Sequence, residues 1–349
     1  ATTDAVYSGL IVAADGGHAA LATVPVHPVD LVTWELSPDD LGLRRLAIVD
    51  LETLHVETYL TANAIRDVDI TTTRVVVTMG YHDKFGLPHA VLQVFDRTSA
   101  LGYLGSVDFP NCADDLQVHP DERLAVLAPR TCSLHDLIIA QPEVAETWDD
   151  WNDFDDAPDK GDPISFVDLE TVTHLANVPG FGPAVFSPDG AQVGGFTQRE
   201  TLMVEWNLFQ NDNFGIIVAS TSDYTFRVAE AGEVRPRFAF GPDGAFFVQG
   251  RRDGAPFTAV LDEDAGELVD FEGLASLDST ASGPDGALYA ASAVGLVRLT
   301  REGLEAVAAS AKGTVVTAIP TGIVVTDKVL GTHTVLTVGP VSVSSVISL

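Results

Sequence analysis

Basic residues are scarce in this chain: Lys and Arg together number 19 against 50 Asp and Glu, a net charge of -31, and only Lys84, Lys160, Lys312 and Lys328 are lysines. A polyanion is repelled along nearly every approach to such a surface, which argues against nucleic acid as a partner. The Asp excess fits a protein kept soluble in high salt or exposed outside a cell. Long apolar runs are missing too; without a stretch of roughly eighteen such residues, no transmembrane helix is expected. Helical periodicity is absent throughout. So are the Gly-x-Ser-x-Gly elbow, a His-x-x-x-His metal pair, a haem-attachment motif and a phosphate loop, so no local motif names an enzyme. Sites can also be assembled from residues scattered along the chain, which keeps catalysis open as the second reading.

What the chain does have is a recurring hairpin. "FSPDGAQVGGF" (186–196), "FGPDGAFFVQG" (240–250) and "SGPDGALYAAS" (282–292) each place a Pro-Asp-Gly turn between two short apolar runs. A second hairpin follows, clearest in "LAIVDLETLHVETYL" (46–60) and "ISFVDLETVTHLANV" (164–178), with the identical VDLET. Turns of the first kind fall near Asp15, Thr72, Asp121, Asp189, Asp243, Asp285 and Thr321, which makes seven units of four strands. The expectation is an all-β chain, a single seven-bladed β-propeller over 1–349 with four antiparallel strands per blade. The blades span about 5–61, 65–108, 112–178, 183–230, 235–272, 276–309 and 313–349, the last complete without help from the N-terminus.

The Ser-Pro-Asp-Gly hairpin followed by V-D-x-x-T resembles the YVTN-type repeat of extracytoplasmic seven-bladed β-propeller proteins. That resemblance implies a surface or secreted protein of an adhesive or scaffolding kind, or one of the lactonases and lyases built on such wheels. The opening residues "ATTDAVYSGL" also read as a mature secreted chain. Cys112 and Cys132 are the only cysteines, and they flank the turn at Asp121 and Glu122 at nearly equal distances. Antiparallel pairing would bring them together as a disulfide, in an oxidising compartment. Two buried thiols are the plainer alternative.

The surplus residues collect in the second-to-third-strand connections of the first four blades, at 25–43, 80–89, 129–163 and 197–214, all on one face. All four tryptophans, Trp34, Trp148, Trp151 and Trp206, lie there, with Tyr81, His82, Phe85 and Phe209. Exposed aromatics on a rigid frame point to a binding surface for a protein partner, another copy of this chain, or a glycan. Packing of the inserts into a cap accounts for the same residues.

Two metal readings arise, both for calcium. "TWDDWNDFDDAPDKGDP" (147–163) holds seven aspartates, and Asp149, Asp150, Asp153, Asp155 and Asp156 could supply part of the roughly six to eight oxygens the ion takes. A solvated acidic loop is the ordinary reading. First-strand aspartates Asp67, Asp69, Asp114, Asp115 and Asp278 would approach a channel mouth, where a cation would suit a lactonase-like hydrolase or lyase; as turn formers they need no ion. Arg130, Arg199, Arg235, Arg237, Arg251 and Arg252 could cradle an anion, or pair with the acidic insert.

Overall fold

The computed structural model describes residues 8–14, 17–25, 45–61, 63–82, 88–97, 101–109, 113, 115–129, 163–199, 213–232, 236–262, 265–283, 287–292, 295–309, 315–319, 322–327, 332–338 and 343–348. Among them the chain is all-β, with no α-helix, and no helix is long and apolar enough to cross a membrane. The chain forms two compact units, Ala1–Ala184 and Val185–Leu349.

In the first unit, β1 (Ser8–Ala14), β2 (His18–Pro25), β3 (Arg45–Asp50) and β4 (Val56–Leu60) pair in chain order as one antiparallel meander. A second meander follows in β5 (Ala64–Ile70), β6 (Arg74–His82), β7 (Pro88–Asp96) and β8 (Gly102–Phe109), and a third in β9 (Asp115–Val118), β10 (Leu124–Ala128), β11 (Pro163–Asp168) and β12 (Thr173–Pro179). Strand β13 (Phe181–Phe186) contains the division between the units.

The second unit continues with β14 (Gln192–Arg199), β15 (Asn213–Ser220) and β16 (Phe226–Gly232), then β17 (Arg237–Phe240), β18 (Phe246–Arg252), β19 (Ala255–Asp262) and β20 (Glu267–Asp270). These form one eight-stranded sheet with β13, because a single parallel bridge, Gly232 to Arg251, joins β16 to β18. Two four-stranded meanders complete the unit: β21 (Ser276–Ser282), β22 (Leu288–Ser292), β23 (Gly295–Thr300) and β24 (Gly303–Ala308), then β25 (Val315–Ile319), β26 (Gly322–Asp327), β27 (Thr332–Val338) and β28 (Val343–Ser348). The strands of this last meander all come from the C-terminal stretch.

Apolar runs such as "RVVVTMG" in β6 are buried on both faces, which is why they read as continuous rather than alternating. Val75, Val77 and Met79 pack with Ala20, Ala22, Leu46 and Ile48 of the first meander. Val76, from the opposite face of the same strand, joins Leu92, Leu116, Leu127 and Val167 in the core shared with the third. The second unit repeats the device: Phe246 and Val248 face Ile216 and Val218, while Phe247 of the same strand faces Leu277, Leu288 and Val297. Sheets therefore stack face to face within each unit.

The short turns explain the repeated motif. In "SPDGAQ", the Asp189 carboxylate accepts from the Ser187 hydroxyl at 2.7 Å and the Ala191 amide at 3.0 Å, and Gly190 takes a φ of 72° that suits glycine. His119 replaces that serine in "HPDER", where its Nδ1 accepts from the Asp121 amide at 3.0 Å. The two VDLET hairpins close alike: Asp50 accepts from the amides of Glu52 and Thr53 at 2.9 Å each, and Asp168 from Glu170 and Thr171 at 2.7 Å each. The first-to-second-strand and third-to-fourth-strand turns of a meander are then tied together, through Leu51 N–H to Gly17 O, Arg97 N–H to Thr73 O, Leu169 N–H to Arg123 O and Thr221 N–H to Ala191 O. All these turns sit at one end of their meanders; antiparallel order sends the second-to-third-strand connections out of the other.

Candidate binding site

At the turn end of the first unit, between its first and second meanders, lies a cavity of about 420 Å³. One wall is the β3–β4 hairpin with its neighbour β2: His18, Ile48, Asp50, His55, Glu57 and Tyr59. The other wall is the second meander's turns, with Thr72, Arg97 and Leu101. The hairpin delivers its polar groups by strand geometry, since Glu57 and Tyr59 are two residues apart on β4 and share a face. Val56 and Leu60, on the alternate face, are exposed.

The electrostatics of the two walls differ. The Thr53 and Glu52 amides hold the Asp50 carboxyl below the usual carboxylate range, with the charge of nearby His18 adding to the effect, so Asp50 is an anion. Tyr59 donates a hydrogen bond to Glu57 Oε2. Burial, that hydrogen bond and the Glu57 charge push the Tyr59 phenol up to about 12. His55 Nε2 stands 3.7 Å from Glu57 Oε1. Across the cavity, Arg97 supplies a fixed positive charge.

None of these lining residues belongs to the set the sequence singles out, yet a signal was available. In "HVETY" three groups able to ionise recur at every second residue of a strand, His55, Glu57 and Tyr59, whereas the matching "THLAN" of the other VDLET hairpin breaks that pattern.

The insert surface lies largely outside the described residues: Trp34, Phe85, Trp148, Trp151, Trp206 and Phe209 fall there, with Arg130, Arg235, Asp114 and the acidic run Asp149, Asp150, Asp153, Asp155 and Asp156. Cys112 and Cys132 do too. Tyr81 and His82 are at the end of β6, opposite His89 and Pro88, and Arg199 ends β14 opposite Asn213. Asp278 lies in β21.

Three of the first-strand aspartates, Asp67, Asp69 and Asp115, accept hydrogen bonds from backbone amides of a neighbouring strand. Asp67 accepts from its neighbour Val68 N–H at 2.8 Å and, across to β9, from Leu116 N–H at 2.9 Å. Asp69 does the same with Ile70 at 2.8 Å and Val118 at 3.1 Å. Asp115, only 3% exposed, accepts from Ala184 N–H at 2.8 Å. These carboxylates latch one first strand to the backbone of the next, rather than forming turns, because stacked sheets leave first-strand amides facing a neighbour. In the second unit Ser279 Oγ on β21 accepts from Val316 N–H on β25 at 2.9 Å in the same way, while Gln249 Oε1, from the second strand β18, accepts from Leu277 N–H at 3.0 Å. Burial, together with the charges of Asp115 and Asp69, raises the Asp67 carboxyl to about 7 despite its two amide donors. Burial likewise raises Asp69. Among the described residues no group of three or more His, Cys, Asp or Glu is placed to hold a metal ion.

Two of the candidate arginines, Arg251 and Arg252, have partners within the fold. Arg252 Nη1 donates to both Asp270 oxygens at 3.0 Å and its guanidinium lies 4.1 Å over the Phe257 ring, beside a second cavity of about 370 Å³. Its acid thus comes from β20, brought alongside by the β18–β19 hairpin, and not from an insert. Arg251 Nε donates to Gly254 O at 2.8 Å, and Arg237 is exposed on β17.

No family model matches the chain, and no curated protein does. Among solved structures, the β-propeller domain of the Trilobed protease from Pyrococcus furiosus matches with 10% identity and a TM-score of 0.47, over 98% of this chain and 93% of that one. The Cps50 (Swd1) β-propeller domain of Myceliophteria thermophila matches with 11% identity and 0.47, over 93% and 94%. Kluyvelomyces marxianus Hsv2 matches with 13% identity and 0.47, over 95% and 93%. Likenesses at these scores locate no residue and assign no activity.

Proposed function

We propose that this chain is an extracytoplasmic, non-catalytic binding scaffold built on the seven-bladed β-propeller pattern. Its inserts would hold a protein partner, another copy of the chain, or a glycan. The observation that carries this reading is the contrast between the ends of the meanders. Turns at one end are short and tied to one another by backbone hydrogen bonds, while long connections with all the tryptophans leave the other end. Rigid frames that present long loops commonly use those loops for recognition. The half-buried Asp67 supports it as well, since it has one oxygen on each of two backbone amides, a framework role. A Cys112–Cys132 disulfide and an oxidising location belong to the same proposal.

The test replaces residues 26–44 and 130–162, separately, with short Gly-Ser turns. Thermal melts establish that each variant folds. Intact protein and variants are then compared on a glycan array, in self-association by sedimentation, and in cross-linking on the surface of the source cells. Binding that the intact chain shows and a folded variant loses supports the reading. Binding that survives both replacements, or turnover of a lactone substrate by the intact chain, overturns it.

A further inference from the structure

The second cavity, of about 370 Å³, opens where β18 turns into β19 and where the chain leaving β20 crosses toward β21. The β18–β19 hairpin supplies Arg252, Pro256 and Phe257 to it, and the stretch after β19 supplies Asp270, Phe271 and Leu274. Its size falls in the range of small-molecule sites, which run from roughly 300 to 1,000 Å³.

Both walls are fixed in place. Arg252 Nη1 donates to both Asp270 oxygens at 3.0 Å, and the guanidinium is stacked 4.1 Å over the Phe257 ring. Buried Thr258 of β19 staples the facing stretch at two points: its carbonyl accepts from the Phe271 amide at 2.7 Å and its Oγ1 from the Ala275 amide at 3.0 Å. Leu274, between those staples, is held against the hairpin and yet remains 42% exposed. A site formed in advance loses less freedom when a ligand enters.

The Arg252–Asp270 pair decides which class of molecule fits. Because the two charges neutralise each other, a ligand of either sign that reaches its opposite charge also meets a like one bonded to it. A wholly apolar ligand would strip water from the pair and replace none of its hydrogen bonds. Arginine only donates and a carboxylate only accepts, and each Asp270 oxygen has capacity for a second hydrogen bond beyond the one from Arg252. The Asp270 side chain is half exposed, so that capacity is within a ligand's reach. A hydroxyl donates and accepts at once. Hydroxyls on adjacent ring carbons match the pair: they donate to the two carboxylate oxygens and accept from the guanidinium, while the C–H face of the ring rests on exposed Pro256, part-exposed Phe271 and Leu274. A trans peptide unit, with N–H and C=O on opposite sides, meets one member of the pair at a time. We propose that this cavity binds a neutral pyranose sugar, its vicinal hydroxyls on Arg252 and Asp270 and its C–H face on Pro256, Phe271 and Leu274. The site goes beyond the insert reading, because none of its lining comes from an insert.

A ligand-observed NMR titration of the full chain with a panel of methyl hexopyranosides tests the proposal. The uronate and amino-sugar counterparts of the best ring serve as charged probes, and N-methylacetamide as a peptide probe. At least one methyl hexopyranoside should bind with a Kd of about 10 mM or tighter, a strength in keeping with so small a ligand. The charged and peptide probes should each bind more weakly by roughly threefold or more. Asp270→Asn should weaken the best ring by roughly tenfold, as loss of a charge-assisted contact implies, and Leu274→Ser by roughly threefold. Both residues are exposed, so these variants should remain folded. Variants with the inserts replaced should bind the ring as the intact chain does; loss of binding there would move the sugar to the inserts and overturn this site alone. A tetrasaccharide of the best ring that matches its methyl glycoside marks a glycan chain as the source, and one that fails marks a free sugar; either supports the site. No saturable binding by any pyranoside, a charged or peptide probe binding as tightly as the best ring, or undiminished binding by folded Asp270→Asn would each overturn it.

Discussion

Two neighbouring interfaces in the first unit are built from the same parts and end differently. Between the second and third meanders, Val172, in the third meander's last turn, packs against Gly105 of β8: a Cβ added at Gly105 would meet the Val172 side chain at 3.1 Å. Glu122 closes the turn end there, accepting from the Thr72 amide and from the hydroxyls of Thr72 and Thr73, while Arg74 donates to the Glu122 carbonyl at 3.0 Å. Between the first and second meanders, Leu101 stands in the position of Val172; both have a positive φ, 50° and 51°, in the third-to-fourth-strand turn. Glu57 stands where Gly105 would be, for Ile48 pairs with Glu57 as Val94 pairs with Gly105. One interface is filled and stitched; the other keeps a cavity lined with charge. A single repeated hairpin thus yields a structural joint or a site according to whether one outer-strand position carries no side chain or a carboxylate.

The largest expected effect concerns the latch that backs the filled interface. Burial lifts the Asp67 carboxyl to about 7 in the folded chain, above the ordinary carboxylate value of 3.8, so between those values the folded state binds the extra proton. Its contribution to stability is therefore fully present below about pH 4 and is lost as pH rises through about 7. Many other carboxylates also titrate, so the comparison must be with Asp67→Asn, which cannot ionise. Relative to that variant, the native chain should lose on the order of 3 kcal/mol in urea-unfolding stability between about pH 4 and pH 8. A difference that stays constant with pH would show that the Asp67 latch does not sense protonation.

Next is the swap itself. Gly105→Glu gives the filled interface the residue of the open one and drives a side chain into Val172, which should cost about 1–3 kcal/mol by overpacking. Val172→Ala in the same chain should recover part of that loss in a denaturation series. Full stability of the single variant would mean that Val172 moves aside freely, and that glycine is not what keeps the interface filled. Glu122→Ala should cost somewhat less, about 1–2 kcal/mol, because the acid is near the surface and its loss releases hydroxyls that water can satisfy. Its stability is to be read at pH 7, where the Thr72 amide and the threonine hydroxyls, outweighing burial, keep Glu122 ionised.

How much of this was legible in the sequence depends on the range of the interaction. Hairpins rest on residues two or three apart, and Pro-Asp-Gly and VDLET announced both the turns and the strands flanking them. His119 works over the same short range, its side chain accepting from an amide two residues away. Latches and cavities rest on residues about fifty apart, such as Asp67 with Leu116 or Thr72 with Glu122. In sequence alone an aspartate near a strand start suits a turn or a cation equally well; only the stacking of β5 on β9 gives it an amide to accept from. The charge-lined cavity was missed for a related reason. Its lining comes from the short turns, where Asp50 also serves its own hairpin by accepting from the Glu52 and Thr53 amides.

The smallest expected effect is the reverse swap, and it separates a site from a joint most cleanly. Glu57→Gly puts the residue of the filled interface into the open one. Because Glu57 is half exposed and sits on an edge strand, stability should change by no more than about 0.5 kcal/mol. The chemistry should change more than the stability. Burial is the first cause of the raised Tyr59 pKa and the Glu57 hydrogen bond and charge are the next, so removing Glu57 should bring the phenol part of the way down from about 12. Difference absorbance between the variant and the intact chain, followed as the phenol ionises, isolates that one tyrosine among six. An unmoved Tyr59 would assign the whole shift to burial and remove Glu57 from the cavity's electrostatics. A lowered one, with stability intact, would show that this position sets the charge of the cavity without holding the fold together.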